Sequence, residues 1–148
     1  MINGAEVVHA ENVNYWQTSR TSPDTWLEKA KREIARVGGS VMGEGFMSDG
    51  TKSSYLLAFQ IGGDQFKMVW PVLEFKKGNA RAARIQAATA LYHEVKAACV
   101  KSKFLGARTA FFAFLMLPDG RTASQIATPE ITEVFPPALT APGIDNCR

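Results

Sequence analysis

Two alternating runs joined by a glycine pair constrain this chain more than any other feature. From Ser53 to Ile61, Tyr55, Leu57 and Phe59 alternate with Leu56, Ala58 and Gln60. From Gln65 to Phe75, Phe66, Met68 and Trp70 alternate with Lys67 and Val69, and Gly62-Gly63 lies between the runs. Successive side chains of a strand point to opposite faces, and glycine accepts the positive φ of a tight hairpin. The two runs therefore pair antiparallel, with one apolar face. A strand before them is expected over Ser40 to Met47, joined through the turn signal Ser48-Asp49-Gly50-Thr51. Gly43 and Gly45 within it point to a bulge or a close backbone approach. Pro71 cannot donate to a ladder, which puts the last strand at an edge or at a bulge. The expected product is an antiparallel three-strand meander.

Helices flank it. Ser22 is placed to cap, Pro23 suits the first helical position and Asp24 complements the helix dipole. Trp26, Leu27, Ala30, Ile34 and Val37 keep helical spacing until Gly38-Gly39 ends the run. Lys29, Lys31, Arg32 and Arg36 decorate the other sides; Glu28 and Glu33 offset two of them, so this face is expected to be merely solvated. A second helix is expected from Asn79 to about Lys103. Its Ala80, Ala83, Ala87, Leu91 and Ala98 share one face, bordered by Val95 and Tyr92. Around Gly106, the residues Phe104, Leu105, Ala107, Phe111, Phe112, Phe114 and Leu115 fit a third, shorter and heavily buried helix. A strand over Ala110 to Leu117 competes with it, because short apolar runs suit either state. Pro118-Asp119-Gly120 is a turn, and Thr128-Pro129-Glu130 is expected to open a last helix through Phe135. Residues 1–21, with Tyr15 and Trp16, read either as an arm that docks on the domain or a partner, or as a tail whose aromatics tuck against the core. Residues 136–148 read as a flexible tail. The fold class is α+β, one domain over residues 22–135.

A length of 148 residues with 46% hydrophobic and 21% charged residues agrees with one globular domain and excludes disordered and collagen-like classes. No apolar run reaches the roughly 18–20 residues of a membrane span, and no secretory leader is evident, so a cytoplasmic location is expected. Cys99 and Cys147 are too few for a disulfide framework. The net charge of +3 conceals an asymmetry. Between Lys76 and Arg108 stand eight basic residues and one acid, Glu94; the rest of the chain carries nine bases and thirteen acids. An acidic body thus bears one basic segment, which suits nucleic acid or an acidic protein partner.

Within that segment Lys77, Arg81 and Arg84 are spaced i, i+4 and i+7 along one helical stripe, with Lys103 returning to it and Lys96 at its margin. Lys76 and Gly78 lie in the approach loop, and the helix start adds free N–H groups and partial positive charge. Lys76, Lys77, Arg81 and Arg84 are therefore the expected phosphate contacts, extended by Lys96, Lys103 and Arg108. The alternative is a helix whose basic side chains lie over its own apolar flank. Tyr55, Phe59, Phe66 and Trp70 suit base stacking in principle, but an inner sheet face accounts for most of them. Catalytic constellations are poor. His9 and His93 lack metal-ligand neighbours, and Glu44, Asp49, Asp64 and Glu74 show no metal-binding spacing. No nucleophile elbow, phosphate loop or dinucleotide fingerprint occurs. No catalytic residue, metal or cofactor is expected.

The order helix, three antiparallel strands, helix resembles the double-stranded RNA-binding domain over residues 22–103. Phe75-Lys76-Lys77-Gly78-Asn79-Ala80-Arg81 looks like a loosened form of the Lys-Lys-x-Ala-Lys pattern that opens that family's second helix, and Ala87-Ala88-Thr89-Ala90-Leu91 is similar to its small-residue run. The resemblance implies phosphate roles for Lys76, Lys77 and Arg81. The glycine-serine loop of that family is absent, and Pro71 and the third apolar helix are foreign to it. The strand-hairpin-helix core with its basic stripe is also similar to phage-type single-strand annealing proteins of the Rad52-like group, which implies a DNA-binding groove and ring assembly. Trp70-Pro71-Val72-Leu73 and Leu117-Pro118-Asp119-Gly120-Arg121 look like stretches of small phage and mobile-element proteins. The combined expectation is a non-enzymatic, sequence-tolerant nucleic-acid-binding protein that self-associates, with DNA preferred over RNA. A protein-interaction module, such as a phage-type adaptor or inhibitor, and a double-stranded RNA-binding-like module are the alternatives.

Overall fold

The computed structural model describes residues 8–13, 20–76 and 78–127. Tyr15, Trp16, Lys77, the expected helix through Phe135 and the C-terminal tail lie outside these residues. The order is α1 (Pro23–Arg36), β1 (Ser40–Ser48), β2 (Ser53–Ile61), β3 (Asp64–Val72), α2 (Ala80–Leu105), α3 (Ala107–Ala110) and α4 (Ala123–Ile126), with 3-10 turns at Ala10–Asn12 and Phe112–Phe114. The strands form an antiparallel sheet in the order β1-β2-β3, so the protein is α+β as the patterning indicates.

Register follows from the alternation. Tyr55 faces Trp70, Leu57 faces Met68 and Phe59 faces Phe66 across the β2–β3 pair. Tyr55, Leu57, Phe59, Phe66 and Met68 are all buried beneath the helices. Phe59 and Phe66 stack with ring centres 5.3 Å apart, and the Phe111 ring meets them edge-on at 5.1 Å and tilted at 5.5 Å, which closes the aromatic core. The β1–β2 register slips between Val41 and Gly43, which is the bulge the glycines announce, and Pro71 sits on the edge strand β3. β1 forms the other edge. At its middle, Glu44 is joined to Lys31 of α1 by an ion pair.

The helix ends also match their signals. The Ser22 hydroxyl accepts from the Thr25 N–H, and the Asn79 side chain accepts from the Ala82 N–H. Gly38 takes φ +85° after α1, a conformation natural to glycine. Gly39 is small for a different reason. A Cβ there would lie 2.7 Å from Ile34 Cγ2 and 2.8 Å from Ile61 Cγ1. The helix end and the hairpin end of the sheet meet at that hydrogen atom.

Four expectations need correction. The third strand stops at Val72, not Phe75. Beyond Val72 the chain leaves the ladder, and the Glu74 carbonyl accepts instead from the Ala10 N–H. The segment 8–13 is thereby docked on the domain: Ala10 is buried, and the Gln86 amide donates to the carbonyls of Ala10 and Val13. On α2, Ala80 is exposed and Val95 is fully buried, the reverse of the expected face and border. A short third helix is present, but it covers only Ala107–Ala110 and the run around it is not heavily buried. Gly106, at φ +88°, ends α2 and opens the four-residue α3. Only Phe111 turns wholly inward, whereas Phe104 is 83% and Phe112 55% exposed. Nor is Ala110 to Leu117 a strand; Leu115 and Met116 make single bridges to Phe66 and Thr122. Thr122 and Gln125 form a capping box that starts α4, a signal readable in the sequence and not used there.

Candidate nucleic-acid interface

α1 and α2 run side by side in the same direction on one face of the sheet. Ser22, Pro23 and Asp24 line one hollow with Ala80, Arg81 and Arg84, while Lys29, Arg32, Glu33 and Arg36 line another with Tyr92 and Lys96. Both helix N-termini therefore open at the same end of the molecule, where the β1–β2 turn also lies. A larger hollow of about 570 Å³ at this end is lined by Phe46, Thr51, Ser53, Lys76, Asn79 and Arg84, among others. Each helix start carries roughly half a positive charge from its aligned peptides.

The sequence stripe acquires a sharper meaning here. Arg81, Arg84, Ala88, Leu91, Val95 and Ala98 follow alternating steps of three and four along α2. The last four are buried, so the two arginines head the buried stripe instead of flanking it. They emerge where the first turns of α2 run past the end of the core. Arg84 is held there: its Nε donates to the Tyr55 hydroxyl at 3.2 Å, and its guanidinium lies 4.4 Å from the centre of the Phe46 ring. With Nε engaged by Tyr55, the terminal nitrogens make no ion pair among the described residues, and Arg84 is exposed. Neither Arg81 nor Arg84 forms an ion pair among the described residues, although Asp24 and Glu74 line the neighbouring hollows. Lys76 is exposed, and its backbone N–H is fixed by both oxygens of the Glu11 carboxylate at 2.9 and 3.0 Å. The docked segment 8–13 thus orders the approach to α2.

Neither a family model, nor a curated protein, nor a solved structure matches this chain.

The remaining basic residues are distributed elsewhere. Lys96 lies midway along α2, 5.9 Å from the Tyr92 ring, on the seam with α1. Lys103 is exposed in the last turn of α2. Arg108 is at the hairpin end, about 30 Å away along nine-residue strands. It clasps Asp64 through two hydrogen bonds of 2.8 and 3.0 Å. That contact holds the Asp64 carboxyl below its ordinary range and raises the guanidinium. The expected continuous track thus divides into an N-terminal cluster, a mid-seam group and a separate clasp. The mid-seam group includes side chains the sequence reading assigned to solvent. Glu28 pairs with Lys31, which also takes Glu44, and Glu33 pairs with Arg36 at 2.5 Å. Lys29, Arg32 and Lys96 have no such partner among the described residues.

Aromatic stacking surfaces on the inner sheet face are used up, since Tyr55, Phe59 and Phe66 are buried. Among the described residues no group of three or more His, Cys, Asp and Glu stands together to hold a metal ion, and no helix is long and apolar enough to cross a membrane.

Proposed function

We propose that this protein binds the phosphate backbone of nucleic acid without reading sequence, with DNA in a recombination or annealing setting as its foremost ligand. The observation that carries the proposal is the convergence of Lys76, Arg81 and Arg84 at two parallel helix starts, with neither arginine neutralised by a carboxylate among the described residues. An exposed arginine held on an aromatic face, with no carboxylate partner among the described residues, is suited to phosphate oxygens and indifferent to base identity. Fluorescence anisotropy with labelled single- and double-stranded DNA and RNA, across a salt series, tests it. Each lost phosphate contact lowers the log–log salt slope by about 0.7 on single strands and 0.9 on duplexes. Arg81→Ala/Arg84→Ala is therefore expected to reduce the slope by about 1.4–1.8. Absence of binding by the unmodified protein, or an unchanged slope in the variant, overturns the proposal. Tight binding confined to double-stranded RNA would transfer the same site to the ligand implied by the order of elements.

A second reading rests on Val100, Phe104, Leu105 and Phe112, which are exposed around the end of α2. Such apolar side chains suit a protein partner, as in an adaptor or inhibitor. Stoichiometric recovery of a nuclease-insensitive protein partner, abolished by Phe104→Ser, would favour it.

A further inference from the structure

We infer that the seam between α1 and α2 is a second contact zone for the same polynucleotide, so that the strand runs along the seam and must exceed a threshold length. The inference rests on the backbone-binding role proposed for the α2 start. Three observations carry it. First, the seam is a hollow of about 240 Å³ bounded by basic side chains from both helices, Lys29, Arg32 and Arg36 from α1 and Lys96 from α2. Its one acid, Glu33, is engaged by Arg36. Second, the charges are set on aromatic supports. The Lys29 ammonium lies 4.6 Å from the centre of the Trp26 ring, and Lys96 lies over Tyr92. Supports of this kind restrain long side chains, so less freedom is lost on binding. Third, the seam continues from the N-terminal cluster, because both helices start there and run in the same direction.

The spacing sets the ligand. Arg81 and Lys96 are separated by fifteen positions on one helix, about 22 Å at 1.5 Å per residue. Phosphates of a stacked strand advance about 3.4 Å per nucleotide, so about seven nucleotides reach from one cluster to the other. A mononucleotide or a short oligomer touches one cluster only. A strand of eight or more touches both, and the second contact then acts at high effective concentration.

The test is anisotropy with single-stranded oligonucleotides of four, six, eight, ten and twelve residues, using the unmodified chain and Lys29→Ala/Arg32→Ala/Lys96→Ala. The unmodified protein is expected to show a steep rise in affinity between six and eight to ten nucleotides. The triple variant is expected to lose that step and about 2 units of salt slope on the twelve-mer, while keeping the weak binding of the four-mer. Lys96→Ala alone, with a circular dichroism spectrum matching the parent, guards against a folding defect and is expected to lower the slope by about 0.7. If the unmodified protein binds with the same step and slope as the triple variant, the seam is not used, and the reading of the α2 start survives. If polyglutamate binds as tightly as the twelve-mer and without a length step, the seam is a general anion surface and the inference fails. If no oligonucleotide binds, both readings fall together.

Discussion

Replacing Phe111 with alanine should cost this protein far more than replacing Phe104, although the two belong to one apolar run. Phe111 has no exposed surface, and its ring meets Phe59 at 5.1 Å and Phe66 at 5.5 Å. Truncating a fully buried phenylalanine removes its transfer energy and leaves a cavity, together about 3–5 kcal/mol. Two aromatic contacts place this site towards the upper half of that range. Phe104 is 83% exposed. Its truncation uncovers little that is buried, so the expected cost is below about 0.5 kcal/mol. Urea denaturation followed by tryptophan fluorescence separates the two outcomes. With a slope of about 1–3 kcal/mol per molar urea, Phe111→Ala should move the midpoint down by roughly 2 M, and Phe104→Ala by less than about 0.5 M. A heavily buried helix over this whole run would instead make the two substitutions similar in cost. Equal shifts, or a larger shift for Phe104→Ala, would refute the reasoning.

Two further outcomes follow from local geometry. Gly39→Ala should destabilise by about 1–3 kcal/mol because its methyl group overlaps Ile34 and Ile61, whereas Gly43→Ala, with nothing within 4 Å, should be close to neutral in the same denaturation series. Burial pushes the Cys99 thiol up to about 11 from an ordinary value of 9.0. The native state therefore holds the proton that the unfolded chain has released, and stability should fall as pH rises from about 9 to 11. In a Cys147→Ser background, chemical denaturation across that pH range should show this loss, and a Cys99→Ala variant should lack it.

The meander was legible because its evidence is local and periodic. Tyr55, Leu57 and Phe59 settle which face of β2 is buried, and the glycine pair that follows settles how β3 returns. The caps at Ser22 and Asn79 are equally local. What escaped depends on contacts between distant segments. Glu28 and Glu33 looked able to neutralise the basic face of α1. In the fold Lys31 takes both Glu28 and Glu44, thirteen residues further on, and the charges of Lys29 and Arg32 are left for the seam. Helical spacing put Arg81 and Arg84 on a common stripe, but only the finite length of the sheet shows that the stripe leaves the core before reaching them. The run from Phe104 to Leu115 is apolar except at Arg108 and Thr109, and its composition does not disclose that Gly106 turns the chain so that Phe111 is wholly buried while Phe104, Leu105 and Phe112 stay exposed.

Among the described residues no further strand pairs with β1, and that edge has a consequence for behaviour in concentrated solution. Fibril growth by strand addition needs a straight, repetitive row of unpaired backbone groups that an identical copy can copy again. Here the row is bent by the slip between Val41 and Gly43 and carries, at Glu44, a charge already committed to Lys31 of the same molecule. An incoming strand would have to break that ion pair and follow a kinked template. β1 thus ends the sheet as a terminus, and templated polymerisation along it is disfavoured by the same bulge that the sequence marks with two glycines.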